Sequence, residues 1–162
     1  MCSEIPWSDP VGTVGTQLVP EGGCVADTAL VITLSNSSEL DLDIHCLVPD
    51  TSGGNPTNVG TVTGNLFQAP FAQKVAGNPE TIVISQLRQG TYTVYVRAWS
   101  DPFKPSIPET GATLAVTGAD GSIVQSISAS SATGSGDYWN VCTIDGGTGE
   151  VSPVGTLSNQ SP

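Results

Sequence analysis

Three observations make this an all-β chain, folded as an antiparallel two-sheet β-sandwich of Ig-like or jelly-roll-like kind with about eight short strands and no substantial helix. Side chains alternate with a period of two in segment after segment, clusters of Gly, Pro, Asn and Asp separate those segments, and no stretch carries a helical stripe. The clearest segment is 91–99, where Tyr92, Val94, Val96 and Ala98 fall on one face.

Taken in order, residues 1–27 form an extended N-terminal arm punctuated by Pro and Gly, with one edge strand expected within 12–19. A strand over 28–35 presents Leu30, Ile32 and Leu34, and Asn36-Ser-Ser38 turns it. A second, over 41–48, presents Leu42, Ile44, Cys46 and Val48 and is closed by Pro49-Asp50. Turn residues fill 51–58, weaker strands are expected over 60–68 and 73–76, and 81–85 is a short strand with Ile82 and Ile84 facing together. After 92–99 comes a Pro-rich excursion, 101–111, whose prolines stiffen it without hydrogen-bonding it into a sheet. Pro102, Phe103, Pro105, Ile107 and Pro108 make it the expected contact surface. Strands over 112–116 and 122–127 are joined by Thr117-Gly-Ala-Asp-Gly121, a hairpin signal. The segment 128–136 is small and polar, 137–144 is the last strong strand with Tyr138, Asn140, Cys142 and Ile144 on one face, and 150–156 closes the fold before a polar C-terminal tail, 157–162. The whole chain, 1–162, reads as a single domain, which buries roughly 70% of the surface its unfolded form exposes.

Four Lys and Arg against 15 Asp and Glu give a net charge of -11, so the surface field repels phosphate backbones, and nucleic acid is not an expected partner. No run approaches the ~20 apolar residues of a membrane-spanning helix, so no membrane insertion is expected. Only 12% of residues are charged, leaving a surface of Ser, Thr, Asn, Gln and Gly, a composition typical of extracellular and virion β-proteins. The sequence Met1-Cys-Ser-Glu-Ile-Pro-Trp7 lacks the basic and apolar regions of a secretory leader. The expected location is extracellular, on a cell surface or on a virion surface. Cys2, Cys24, Cys46 and Cys142 are even in number with no zinc-ligand spacing. The pairings expected are Cys46 with Cys142 and Cys2 with Cys24; the alternative keeps Cys46 and Cys142 as buried thiols.

The segments Asp41-Leu-Asp-Ile-His-Cys-Leu-Val-Pro49, Gly77-Asn-Pro-Glu-Thr-Ile-Val-Ile84 and Gly90-Thr-Tyr-Thr-Val-Tyr-Val96, with Asp137-Tyr-Trp-Asn-Val-Cys-Thr-Ile144 as a closing strand, resemble the bacterial YfaP-like secreted β-sandwich domain family. The match covers roughly 38–145 in four separated pieces, with Asn78 interrupting a Gly-Pro-Glu pattern and an uncharged loop after Pro49 in place of an acidic one. The resemblance implies a small accessory or surface module and carries over no catalytic residues and no cofactor.

His45 is the only histidine, so any Ser/His/Asp or Cys/His arrangement must use it, and neither G-x-S-x-G nor H-E-x-x-H occurs. No enzyme activity is expected. Asp41 and Asp43, joined by Asp50 or Glu80, are the minimum from which a Ca²⁺ site would start. Trp7, Trp99 and Trp139 with Tyr95 and Tyr138 offer a sugar-stacking surface, unless Trp139 packs between the sheets and Trp99 covers a sheet end. Asn36-Ser-Ser38 and Asn159-Gln-Ser161 match the glycosylation acceptor pattern. The function expected first is a non-enzymatic structural or interaction module, a subunit or decoration protein of an extracellular filament, virion or cell surface, whose partners are copies of itself or another structural protein. A carbohydrate- or calcium-binding accessory domain of a secreted system, with glycans as partners, is the alternative.

Overall fold

The structure, a computed structural model, describes residues 6–8, 14–16, 30–50, 52–62, 65–67, 69, 71–75, 79–99 and 105–162. Its strands are β1 (Pro6–Ser8), β2 (Val14–Thr16), β3 (Leu30–Ser35), β4 (Leu42–Val48), β5 (Thr57–Val62), β6 (Asn65–Phe67), β7 (Ala72–Val75), β8 (Glu80–Ile84), β9 (Thr91–Ala98), β10 (Thr113–Thr117), β11 (Ile123–Ser128), β12 (Thr133–Gly134), β13 (Tyr138–Asp145) and β14 (Val151–Ser158). Two 3-10 turns, Ile107–Thr110 and Ala129–Ser131, are the helical elements among the described residues. β1 and β2 pair with each other. The rest make a five-stranded sheet in the order β11-β10-β3-β8-β7 and a seven-stranded sheet in the order β12-β14-β13-β9-β4-β5-β6. All neighbours run antiparallel except β12 and β14.

The all-β two-sheet sandwich is therefore the architecture of the chain. Its strands outnumber the expectation in part because β1, β6 and β12, of three, three and two residues, are too short to show alternation. The run expected as one strand over 60–68 folds back on itself as β5 and β6, and β5 begins inside the supposed loop, at Thr57.

Alternation dictates the core. Leu30, Ile32 and Leu34 of β3, Ile82 and Ile84 of β8 and Leu114 and Val116 of β10 face Ile44, Cys46 and Val48 of β4, Tyr92, Val94 and Val96 of β9 and Trp139, Cys142 and Ile144 of β13. Trp139, the largest fully buried side chain, lies in this shared layer. β13 departs from simple alternation. It opposes Trp139 to Val96 but Cys142 to Val94, leaving Val141 as the extra residue of a bulge. The bulge moves Tyr138 and Asn140 to the outer face, away from Cys142 and Ile144 with which strict alternation had grouped them.

The register also decides the cysteines. Cys46 and Cys142 both stand opposite Val94, from the two flanking strands. Strands ~4.8 Å apart put their backbones ~10 Å from each other, beyond the ~7 Å that a disulfide spans. The expected Cys46–Cys142 pairing is overturned: both are free and buried. Burial pushes both thiols up, Cys142 to about 12, so they act as small apolar core residues. Cys2 and Cys24 lie outside the described residues.

The described half of the Pro-rich excursion, 105–111, is built into the fold. Ile107 is 2% exposed and belongs to the core, which removes it from any contact surface. The 3-10 turn that follows is tied down: the Ser106 N–H and hydroxyl donate to Glu109 Oε2 at 2.9 and 2.6 Å, the Thr110 hydroxyl donates to the Ile107 carbonyl at 2.6 Å, and the Ser37 hydroxyl donates to the Thr110 carbonyl at 3.0 Å. This half of the loop is anchored to the sandwich through Ile107 and Ser37. Pro105 is exposed and Pro108 half-buried; Pro102 and Phe103 lie outside the described residues.

In a variant with Cys2 and Cys24 replaced by Ser, denaturant without reductant exposes two titratable thiols, and the native protein resists alkylation at both. A disulfide between Cys46 and Cys142 would give no titratable thiol.

Candidate functional site

Strand register sets side chains in rows across the outer face of the seven-stranded sheet. One row runs Asp43, Arg97, Tyr138, and the next His45, Tyr95, Asn140. In the first, the Arg97 guanidinium lies 4.1 Å over the Trp99 ring and 5.8 Å over that of Tyr138. The Trp99 indole N–H donates to Asp43 Oδ2 at 2.6 Å, fixing the ring although Trp99 is 39% exposed.

Asp43 also turns toward the other sheet. The Lys74 ammonium of β7 is 3.2 Å from Asp43 Oδ1 and 2.8 Å from Glu80 Oε1 of β8. Glu80 Oε2 accepts the Ile44 N–H at 2.8 Å, a donor of β4 that lies beyond the Cys46–Val48 stretch paired with β5. Lys74, Asp43 and Glu80 thus clasp the two sheets, and the clasp is nearly dry, with the Lys74 side chain 3% exposed. Two of the carboxylates that a Ca²⁺ site would have used, Asp43 and Glu80, converge on an ammonium instead, while Asp41 lines the cleft described below. Asp50 is engaged elsewhere: it accepts the Ser52 N–H and hydroxyl, and these bonds hold its carboxyl below the usual range. Among the described residues no group of three or more His, Cys, Asp or Glu is arranged to hold a metal.

His45 is buried, and its side-chain partner is the Asn58 amide. Its ring stacks on Tyr95 at 4.8 Å with the planes 5° apart, and Nδ1 lies 3.2 Å from Asn58 Oδ1. The Asn58 amide donates to the Tyr95 hydroxyl at 2.9 Å, which orients its oxygen toward the imidazole. That oxygen only accepts, so the proton sits on Nδ1 and Nε2 keeps its lone pair, without a hydrogen-bond partner among the described residues. Gly60, opposite His45 in strand order, leaves room for the ring: a side chain there would collide with Nδ1. Desolvation by burial lowers the His45 pKa, holding the imidazole neutral.

A cleft of about 440 Å³ opens beside the clasp, floored by Leu34 and Leu42 and rimmed by Asn36, Glu39, Asp41 and Glu80. It is lined by carboxylates and holds neither a base paired with a nucleophile nor a cationic anion-binding group.

The sequence-derived sugar surface is split by the fold. Trp139 is entirely in the core, Tyr95 is 4% exposed beneath His45 and Asn58, and Trp99 with Tyr138 and Arg97 remains at the surface. The clasp was missed in the sequence, although its signal is present. In β7 the alternation that turns Ala72 inward turns Lys74 inward too, and a lysine on an apolar face calls for buried carboxylates.

No family model, no curated protein and no solved structure matches the chain. Among the described residues no helix is long and apolar enough to cross a membrane.

Lys74→Ala leaves two carboxylates without their cation and lowers stability by about 3 kcal/mol in urea titrations. His45 adds a pH dependence with a definite sign. The unfolded chain binds a proton near the ordinary value of 6.5 while the folded chain binds it only at lower pH, so stability falls as pH drops through that window. Thermal melts from neutral pH down to about 5, above the carboxylate range, show this loss in the natural protein and a reduced one in His45→Gln.

Proposed function

We propose that the chain is a non-enzymatic structural or interaction module, a subunit or decoration protein of an extracellular filament, a virion or a cell surface, that contacts copies of itself or another structural protein. The observation that carries this reading is the exposure of large apolar side chains on sheet margins: Ile123 at 68% and Val124 at 44% on β11, and Val154 at 46% on β14. Exposed apolar groups on strands with unpaired backbone are what a rigid sandwich offers to another protein. The resemblance to the YfaP-like secreted domains points the same way. Among the described residues neutral, stacked His45 has no nucleophile or carboxylate bonded to it, which supports a role other than catalysis.

Trp99 favours a second reading. A fixed, partly exposed indole flanked by Arg97 and Asp43 is a platform on which a sugar ring stacks, as in a carbohydrate-binding accessory domain.

Sedimentation velocity with light scattering separates the two. The first reading expects mass above that of a single chain as concentration rises, or on addition of its structural partner. A strict monomer that binds polysaccharide, and loses that binding in Trp99→Ala, would replace the first reading by the second.

A further inference from the structure

Charge is unevenly spread along this chain. Residues 121–136, which include β11, hold no charged side chain, and neither do residues 151–162, which include β14. The three acids in the last 42 residues, Asp137, Asp145 and Glu150, sit at strand ends and turns. β11 and β14 are neighbours across the gap between the sheets, so two strands without a charged side chain lie side by side.

The margins differ in how they are protected. β7 is followed outward by the Ala69–Ala72 bridge and is packed on β5. β14 is overlaid at Thr156 and Leu157 by β12 and carries Pro153, which withholds a donor. β6 has three residues. β11 has six, Ile-Val-Gln-Ser-Ile-Ser, with no charge, no proline and, among the described residues, no strand on its outer side. Natural sheet edges normally carry such protection. A bulge at Val124 marks its first turn, where β10 pairs with Ile123 and then Gln125. This bulge is the one edge-blunting device that β11 carries, and Ile123 and Val124 there are exposed.

We propose that β11 is a homotypic docking edge, on which the β11 of a second copy of this chain adds antiparallel about a two-fold axis, so that two five-stranded sheets become one continuous sheet. The proposal rests on the interaction-module reading above and names its surface and its partner. The partner follows from charge. Two bodies that each carry -11 repel, and a strand without a charged side chain is where like copies meet with no carboxylates of that strand facing each other. An isologous contact needs a self-complementary patch, and an antiparallel pair of identical uncharged strands is one. Ile123, Val124 and the nearby Val154 would lose their exposure to water in the pair.

Two signatures distinguish this contact. Raising salt from about 0.01 M to 1 M, which shortens the Debye length from ~30 Å to ~3 Å, tightens the association, because it screens repulsion and there is no ion pair to weaken. In addition, Val124→Lys and Val124→Glu both weaken it by about tenfold or more, since either charge would be desolvated against its own copy. The same substitutions at Gln73, exposed on β7, leave it unchanged. The measurement is sedimentation equilibrium of the full chain over a concentration series, with thermal melts confirming that each variant is folded. Association that strengthens with salt and is lost in both Val124 variants supports the proposal. Association that ignores Val124, or weakens with salt, overturns it and leaves the interaction-module reading standing on another surface. A chain monomeric at every concentration and salt overturns the homotypic edge, and glycan binding lost in Trp99→Ala in that same monomer removes the broader reading as well.

Discussion

Two pleated layers share one dry interior only when every strand turns alternate side chains toward it, and the molecule is built around that constraint. β4, β9 and β13 supply one wall, β3, β8 and β10 the other, and the chain passes repeatedly from wall to wall. Where the sequence breaks the two-residue rhythm, the backbone bends to restore it. The bulge at Val141 lets Trp139 and Cys142, three residues apart, enter the same layer. A tryptophan of that size could not be left on the outside without a cavity opening between the sheets.

Asp43 links the interior to the outer face. One of its oxygens meets the Lys74 ammonium within the clasp and the other meets the Trp99 indole, which in turn lies against Arg97. The exposed aromatic group is therefore bonded to a carboxylate that is itself held by the Lys74 ammonium. A surface tryptophan held this way keeps one orientation, which suits recognition by stacking better than a freely rotating ring would.

Much of the architecture was legible in the sequence because it depends on period two. β3, β4, β8, β9 and the β10–β11 hairpin follow from alternation and turn residues, and the Asp-Gly turn forms with Gly121 at φ 78° and the Asp120 carboxylate accepting the Ser122 N–H. What failed depends on pairing across distance. Cys46 and Cys142 lie on suitable faces, but only the register reveals that Val94 stands between them. Ile107, surrounded by prolines, has no periodic neighbours to announce its burial. His45 alternates with the core residues yet is covered on the outer face, where Asn58 and Gly60 of β5 surround it. The Lys74 clasp needed three strands in place at once.

The interleaving of the strands acts in time as well as in space. β9 occupies the middle of its sheet, but one neighbour, β4, comes long before it in the chain and the other, β13, long after. β3 likewise waits for β8 and then β10. During synthesis each central strand emerges with one side unmatched, and closing such long loops is slow. A nascent chain of this topology holds half-sheets with unmatched edges until β10 and β13 emerge, the kind of species that exposes apolar surface and strand edges to aggregation.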